Sequence, residues 1–293
     1  MIIVKLMGGI GNQLFQYATG RALAIKHNTS LKFDLTLLNQ DPKDKYTKRN
    51  FELNLFHTSC EIANDADIER FTKLSLYRKV LRKISPALNS KYFYAYQNGF
   101  EFDARFTEFP KNTYLDGYWQ SEKFFIDIRK ELVQELTINK PFTDKVKIAQ
   151  QLIANSNSVS LHIRRGDYVS DKGASEFHGI LPLSYYYESI KYLNEKHNDL
   201  KVFIFSDDMD WVKEHLKIQN QCVYIDFNKK DDSVFDIYLM SLCNHNIIAN
   251  SSFSWWGAWL NQHTDKIVIA PNQWFANKSL NTKDLIPSSW IKM

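Results

Sequence analysis

The sequence predicts an α/β protein made of two halves that face one cleft, with domains at residues 1–150 and 151–293. A chain of 293 residues is long enough for two ordinary domains. The first 35 residues follow a strand, glycine-turn, helix and strand pattern. The second half alternates strands with helices of about 10–15 residues, which is typical of parallel sheets. Polar residues and a proline interrupt the pattern within 139–157 and predict the domain boundary there.

In the first half, apolar residues at helical spacing follow a short strand. The predicted elements are a strand over 2–7, a helix over 12–27, a strand over 30–34, a loop over 36–50, a helix over 61–85, a strand over 114–119 and a helix capped by Ser121.

In the second half, buried apolar runs alternate with amphipathic segments, as parallel βαβ units require. The predicted strands are 158–164, 201–206, 222–227, 246–250 and 266–270. The predicted helices are 184–197, 209–217, 233–244 and 252–262.

Composition excludes several classes of protein. The net charge of +4 is mild, and no nucleic-acid motif is present, so we expect no nucleic-acid partner. Three widely spaced cysteines suggest neither a disulfide framework nor a zinc site. No stretch resembles a signal peptide or a membrane span. We therefore expect a cytoplasmic protein, at most weakly attached to the inner membrane by its positive charge.

The turn after the first strand is rich in glycine. Glycines let a ligand approach the backbone, and a helix N-terminus favours anions. Gly9-x-Gly11, with Asp34 at the end of the next strand, supports a dinucleotide site. The third glycine of that fingerprint would fall at Leu14, whose side chain obstructs close helix–strand packing. A tight turn without a ligand is the alternative.

Two adjacent arginines end the strand at 158–164. Ligands of open α/β sheets bind at the carboxyl ends of strands, and the guanidinium fork matches phosphate oxygens. Alternation along a strand places His162 and Arg164 on one face and Arg165 on the other. One arginine can therefore bind a ligand while its neighbour anchors the loop. Surface salt bridges are the alternative interpretation.

Two further strands end in polar residues. Ser206 and Asp207 close one strand, and Asp208-Met209-Asp210 matches a D-x-D pattern that can hold a divalent metal. Acidic pairs also cap helices, and Asp207 is the better ligand-facing candidate. The other strand ends at Asn250, where Ser251-Ser252-Phe253 opens a tryptophan-rich helix and predicts an anion cradle.

Together these segments resemble the bacterial α1,2-fucosyltransferases of glycosyltransferase family 11. The family pattern includes G-G-[LI]-G-N-Q-[LM]-F-Q-Y, H-[IV]-R-R-G-D-Y and N-S-[ST]-F-S-W-W. These motifs stand here at 8–17, 162–168 and 250–256, and residues 36–110 carry none of them.

The resemblance implies a GT-B-like fold of two Rossmann-like domains, with the acceptor on the N-terminal side and the GDP-sugar on the C-terminal side. It also implies an inverting enzyme that moves L-fucose from GDP-β-L-fucose to a galactose-containing, lipid-linked glycan, with α1,2 linkage, in surface-glycan or O-antigen synthesis. No metal or other cofactor is implied.

The resemblance also assigns roles to residues. It places Arg164 on the β-phosphate, Asn12 near the transferred sugar and Asp236 on guanine. The resemblance does not assign the catalytic base, for which Asp167 and Asp171 are both nearby candidates. The expected substrate-binding residues are Gly9, Gly11, Gln13, His162, Arg165, Ser206, Asp207, Asp236, Asn250, Ser251, Ser252 and Phe253.

Three alternatives remain open from the residues themselves. A metal-dependent transferase would use Asp208 and Asp210, and a nicotinamide oxidoreductase would use Gly9-x-Gly11 and Asp34. A carbohydrate-binding module without catalysis would leave the paired arginines without a purpose.

Overall fold

The structure, a computed structural model, describes residues 1–40, 49–58, 61–73, 92–166 and 176–293. Asp167 and Asp171 lie outside these residues. The chain divides into two compact units. One comprises Met1–Thr137 and Lys283–Leu285, and the other comprises Ile138–Thr282 and Ile286–Met293.

The first unit is a parallel sheet with helices. Its elements are β1 (Ile2–Lys5), α1 (Ile10–Lys26), β2 (Leu31–Asp34), β3 (Glu61–Ile62), α2 (Asp65–Thr72), β4 (Phe93–Tyr96), β5 (Thr113–Asp116) and α3 (Arg129–Glu135). The strand order is β3-β2-β1-β5-β4, and every described pairing is parallel.

Helix α1 packs on the sheet through a glycine. A Cβ at Gly20 would lie 2.4 Å from Val4 Cγ2 and 2.8 Å from Leu31 Cδ1. The absence of a side chain therefore lets α1 approach β1 and β2 closely. The side chain of Leu14 is fully buried on the same helix.

Two predicted helices of this unit are wrong in part. The segment predicted as a helix over 61–85 begins with strand β3, and its described helix is only α2, while 74–91 lie outside the described residues. Ser121 does accept a hydrogen bond from Lys123 N–H, but short 3-10 turns follow it before α3. The φ of −146° at Phe125 interrupts the helical run where Phe124 and Phe125 are both buried.

The second unit is a six-stranded parallel sheet. Its elements are α4 (Asp144–Ala154), β6 (Asn157–Ile163), α5 (Leu183–Asn194), β7 (Leu200–Ser206), α6 (Met209–His215), β8 (Gln221–Ile225), α7 (Val234–Leu242), β9 (His245–Ile247), α8 (Ser252–Trp259), β10 (Val268–Ala270) and β11 (Ile291–Lys292). The order is β11-β10-β9-β6-β7-β8. The five predicted strands are confirmed.

The topology brings the predicted site segments together within this unit. Strand β6 lies between β7 and β9, and Ile163 pairs with Ser206. The arginines that follow β6 therefore emerge beside the Ser206-Asp207 segment, while β9 leads into α8. This is the carboxyl edge at which open parallel sheets bind ligands.

The observed division differs from the predicted boundary at residue 150, which falls inside α4. That helix belongs to the second unit because it packs against α7. Just before α4, the ring of Phe142 lies 5.5 Å from that of Phe235 on α7. No helix within the described ranges has both the length and the apolar character needed to cross a bilayer.

Candidate functional site

Asp207 fixes the loop that carries Arg164. Its Oδ2 lies 2.9 Å from Arg164 Nη1, and its Oδ1 accepts a hydrogen bond of 2.9 Å from the Arg165 backbone N–H. A Cβ at Gly166 would lie 2.7 Å from Asp207 Oδ2, so the glycine lets the loop approach this carboxylate. Asp207 was expected to bind substrate, but in the structure its carboxylate positions the Arg164 guanidinium.

Arg165 points elsewhere and anchors the loop. Its guanidinium carbon lies 3.5 Å from the ring centroid of Trp211, and its Nε lies 3.4 Å from Asp208 Oδ2. The Asp208 backbone N–H donates in turn to Ser206 Oγ over 3.0 Å. The two arginines therefore have different surroundings, as strand alternation predicts.

His162 is a neutral imidazole at the end of β6. It is 4% exposed, and its ring lies 5.7 Å from the ring of Phe253. Burial lowers the pKa of His162 to about 4; Asp207 opposes this shift and Arg164 adds to it. Within the described part of the chain, its Nδ1 has no hydrogen-bond partner. His162 can therefore offer a ligand one donor or one acceptor without adding charge.

The turn before α8 is held by Asn250. Its buried Nδ2 donates to the carbonyls of His178, Gly179 and Trp274 over 2.9, 3.2 and 3.2 Å. Ser251 Oγ accepts from the Phe253 N–H over 3.3 Å, as a helix cap does. Asn250 and Ser251, expected to touch substrate, shape the turn, whereas Ser252 and Phe253 remain partly exposed.

Asp236 lies in the first turn of α7 and is partly buried. Burial raises the pKa of Asp236 to about 8, against a hydrogen bond from Asn228 Nδ2 to its Oδ1 of 2.6 Å. The carboxyl group is therefore largely protonated at neutral pH. A neutral acid offers one donor and one acceptor, whereas a carboxylate offers only acceptors.

The glycine turn of the first unit orients Asn12. Gly8 has a φ of +76°, and a Cβ there would lie 2.3 Å from Asn12 Nδ2. Gln120 Nε2 donates to Asn12 Oδ1 over 2.7 Å, which leaves the amide with a defined orientation. The turn thus presents Asn12 in the first turn of α1.

Gln13 is used inside the protein. Its buried Nε2 donates to the carbonyls of Gly8 and Asn50 over 3.0 and 2.7 Å, and its Oε1 accepts from the Glu52 N–H over 2.9 Å. Gly11 is also buried. The sequence motif predicts a ligand contact at Gln13. In the structure its amide instead hydrogen-bonds the backbone of Asn50 and Glu52, which lie in a loop later in the sequence.

Asp34 does not offer the acceptor pair that a ribose needs. Its Oδ1 accepts from the Thr36 N–H and hydroxyl, and its Oδ2 accepts from the Tyr114 hydroxyl over 2.5 Å. These bonds, together with the buried Leu14, count against the nicotinamide alternative.

The metal-dependent alternative finds little support in the geometry of its two carboxylates. Asp208 is ion-paired with Arg165, a cation that competes with a metal for this carboxylate. Among the described residues, no group of three or more His, Cys, Asp or Glu side chains is arranged to hold a metal ion.

Several positioning residues carry no recognisable sequence signal. Trp211 beneath Arg165 and Gln120 on Asn12 are distant in sequence from the groups they hold, and Asn228 lies in the loop eight residues before Asp236. Only the helical spacing between Asp208 and Trp211 hints that both face the arginine loop.

Two Escherichia coli relatives match nearly the whole chain, and a more distant relative matches half of it. An alpha-1,2-colitosyltransferase of Escherichia coli is 37% identical over 309 residues, covering 100% of this chain and 99% of the relative. The O-antigen biosynthesis glycosyltransferase WbnK of Escherichia coli is 36% identical over 306 residues, with 98% and 99% covered. A galactoside 2-alpha-L-fucosyltransferase, SEC1 of Bos taurus, is 28% identical over 153 residues, with 50% and 41% covered.

Solved structures agree on the fold. The NodZ alpha-1,6-fucosyltransferase, in crystals soaked with GDP-fucose, has a TM-score of 0.50 at 13% identity, with 88% of this chain and 92% of that chain covered. Together with the two parallel sheets, this confirms the predicted GT-B-like α/β class.

The model of glycosyl transferase family 11 matches residues 1–293. The chain therefore belongs to glycosyl transferase family 11 and is a glycosyltransferase.

Proposed function

We propose that the protein moves L-fucose from GDP-β-L-fucose to the 2-hydroxyl of a galactoside, with inversion, during O-antigen synthesis. The observation that carries this proposal is the Arg164 guanidinium, held by Asp207 at the carboxyl end of β6 in a family 11 chain. The two Escherichia coli relatives, an α1,2-transferase and an O-antigen enzyme, support the linkage and the pathway class.

In the proposed reaction the acceptor oxygen bonds to C1 of fucose while the bond from C1 to the β-phosphate oxygen breaks. Negative charge develops on the departing GDP, and the acceptor hydroxyl loses its proton to a base. A fixed cation at the developing charge lowers the barrier because it needs no reorganisation during the reaction. Arg164 supplies this cation, and Asp207 keeps it in place.

The other groups have supporting roles in this proposal. His162 and the Ser252-Phe253 turn line the donor site, and Asn12 donates from its oriented amide to the sugar. We propose Asp167 as the base and assign no geometry to it. We also propose that no metal takes part, because arginine supplies the positive charge and Asp208 is already paired with Arg165.

A second donor has a specific observation in its favour. The relative at 37% identity is named a colitosyltransferase, and colitose is fucose without the 3-hydroxyl. A site that hydrogen-bonds the 3-hydroxyl rejects the analogue lacking it, because its own polar groups stay unpaired. GDP-colitose is therefore the decisive competitor.

The test measures transfer by the purified protein from GDP-fucose, GDP-colitose, GDP-mannose and UDP-galactose to a β-galactoside. We expect GDP-fucose to give the highest kcat/KM, and NMR of the product to show an α1,2 linkage. Preferred transfer of colitose would replace the donor in this proposal, while transfer from UDP-galactose alone would overturn the guanine-nucleotide assignment. We further propose that the natural acceptor is lipid-linked and meets the enzyme at the cytoplasmic membrane surface; vesicle-bound acceptors test this in the same assay.

A further inference from the structure

The sheet of the first unit reverses its strand order between β1 and β5. From β1 the chain adds β2 and β3 on one side, whereas β5 and β4 lie on the other side. In open parallel sheets, ligands bind outside the carboxyl ends of the strands at such a switch point. There the turn that carries Asn12 follows β1, and residues 117–120 follow β5. We therefore expect ligand-binding residues of this unit in these two segments.

Side-chain amides tie the two segments together. The fully buried Gln16 donates from Nε2 to the carbonyls of Met7 and Gly117 over 3.2 and 3.3 Å. Gln120 Nε2 donates to Asn12 Oδ1 over 2.7 Å. The segment after β5 is thus held beside the asparagine that the proposed reaction places next to the transferred sugar.

Trp119 has an unusual backbone conformation after β5. Its φ is +56°, a region that bulky residues rarely adopt, and such strained residues cluster at ligand sites. The Trp119 backbone N–H donates to Gln97 Oε1 over 2.6 Å. A Cβ at Gly117 would lie 2.5 Å from Gln97 Cβ and 3.2 Å from Trp119 Nε1. Gln97 and the indole N–H of Trp119 therefore lie together beside the bare backbone of Gly117.

Three buried polar atoms in this place lack a hydrogen-bond partner. They are Gln97 Nε2, Trp119 Nε1 and Gln120 Oε1, and no residue that the structure describes pairs with any of them. Trp119 is 1% exposed and Gln120 is 7% exposed, so water does not reach these groups freely. A buried polar atom without a partner destabilises the fold. A ligand that forms hydrogen bonds with these atoms would recover that cost.

The three atoms match sugar hydroxyls better than they match a phosphate. Two of them are N–H donors and one is a carbonyl acceptor, and a hydroxyl both donates and accepts. A fully ionised phosphate has only acceptor oxygens, so Gln120 Oε1 would stay unpaired against it. The charges at the ends of β1 and β5 are paired with each other, because Lys5 Nζ lies 3.2 Å from Asp116 Oδ2. A neutral, hydroxyl-rich ligand therefore fits this edge.

Two exposed tyrosines lie at the same edge of the sheet. Tyr96 ends β4 opposite Asp116, and Tyr118 directly precedes Trp119. A tyrosine ring offers an apolar face, which can pack against the C–H face of a pyranose. Small-ligand sites combine aromatic surface with a few placed polar groups. The edge thus carries both kinds of surface that a sugar ring needs.

We propose that Gln97, Trp119 and Gln120 form a pyranose-binding subsite of the first unit. This rests on the proposed function, in which two pyranoses occur: the galactose of the acceptor and the fucose of the donor. Because the unpaired atoms are shielded from solvent, the sugar displaces the side chains that cover them, and its hydroxyls then form the missing hydrogen bonds.

The experiment compares Trp119→Phe and Gln97→Glu with the wild type in the full chain. Trp119→Phe removes the unpaired N–H and keeps an aromatic ring beside Phe124. Gln97→Glu removes the Nε2 donor and keeps an acceptor for the Trp119 N–H. Trp290→Phe is the matched control, because Trp290 is a buried tryptophan of the second unit that packs on Trp255. Melting temperatures are recorded for every variant.

Steady-state rates are measured with GDP-fucose and a β-galactoside. We expect Trp119→Phe and Gln97→Glu each to raise the KM of a sugar substrate about three- to tenfold, the scale of losing one hydrogen bond. The dissociation constant of GDP should not change, and Trp290→Phe should equal the wild type. A rise in the KM of the galactoside alone would identify the acceptor galactose. A rise in the KM of GDP-fucose, with GDP binding unchanged, would identify the transferred fucose.

Saturation-transfer NMR tests the subsite without turnover. Binding of methyl β-galactoside and of methyl β-L-fucoside is recorded in the presence of GDP. We expect the signal of one of these glycosides to weaken in Trp119→Phe and in Gln97→Glu, but not in Trp290→Phe.

Unchanged KM values for both substrates in a folded Trp119→Phe would overturn the inference, as would an equal loss of affinity for GDP itself. If Trp119→Phe does not fold, the same outcomes in Gln97→Glu decide. Failure of the proposed function is distinct, because it would appear as absence of fucosyl transfer by the wild-type protein, while the NMR experiment would still report on the subsite.

Discussion

Arg164 and Asp207 form an ion pair at the place where a ligand phosphate is proposed to bind. The pair has a distance of 2.9 Å, and the Arg164 side chain is 23% exposed. Asp207 contacts one terminal nitrogen of the guanidinium, and arginine has five N–H donors in all. A phosphate can therefore bind beside the carboxylate instead of replacing it, and the aspartate serves to aim the cation.

The first prediction concerns this cation. Arg164→Lys keeps the charge but loses the planar fork, so we expect kcat to fall by roughly 10²-fold or more, the scale of losing one transition-state donor. Single-turnover rates with GDP-fucose measure the change. Arg105→Ala is the control, because Arg105 is an exposed arginine whose guanidinium pairs with Asp103. Near-normal turnover by Arg164→Ala would remove Arg164 from the chemistry.

The second prediction uses the raised pKa of Asp236. The unfolded chain ionises near the ordinary pKa of aspartate, about 4, whereas the folded protein holds the proton up to about pH 8. The folded state then binds more protons within this window, so the contribution of Asp236 to stability falls as pH rises from 4 to 8. Asp236→Asn should remove that loss.

Melting curves of Asp236→Asn and the wild type across pH 5–8 test this. The melting temperature of the variant, relative to the wild type, should rise with pH. Asp231→Asn, at an exposed position of the preceding turn, is the control. A constant difference across the range would show that Asp236 is ionised in the folded protein. Calorimetry with GDP on the same variants would show whether this acid also contacts guanine.

At the scale of elements, α1 depends on Gly20 for its close approach to the sheet. A Cβ there would lie 2.4 Å from Val4 Cγ2, so either α1 or the side chain of Val4 on β1 must move. We expect Gly20→Ala to destabilise the protein by about 1–3 kcal/mol through overpacking, which exceeds the gain of about 1 kcal/mol in helix propensity. Urea unfolding measures it, and an unchanged or higher midpoint would mean that the helix shifts without cost.

The strands of the second unit could be predicted because buried parallel strands are near-continuous apolar runs. Strand β11 could not, since two residues carry no periodicity. The motifs located the ends of β1, β6, β7 and β9, where the predicted site residues lie. They could not show which polar side chains turn inward, because partners such as the Asn50 carbonyl for Gln13 are set by the tertiary fold.

The same limit applies to Asn250, whose amide holds three carbonyls from two other segments of the unit. A motif records that a residue is needed. It does not separate contact with a ligand from support of the loop that makes the contact. Asp167 remains a sequence prediction because it lies outside the described residues.

At the scale of the whole molecule, the proposed chemistry relies on arginine in place of a divalent ion. We expect activity after exhaustive EDTA treatment to stay within about twofold of the untreated enzyme. Removal of a Lewis-acid metal that contributes several kcal/mol to transition-state stabilisation would lower the activity far more than this. The control is a parallel sample of the enzyme that receives excess Mg²⁺ instead of EDTA. Loss of activity that Mn²⁺ restores would transfer the role to Asp208 and Asp210.

The short segment Lys283–Leu285 has a consequence for how this chain can be recombined. It belongs to the first unit, where Asp284 accepts a hydrogen bond of 3.0 Å from the Phe102 N–H, yet the residues on both sides of it belong to the second. A chimera joined once, near residue 138, would pair the first unit of one parent with this segment from the other parent. Exchange of intact units between family members therefore needs three junctions, and single-crossover libraries are expected to yield folded proteins mainly when the parents match around Asp284.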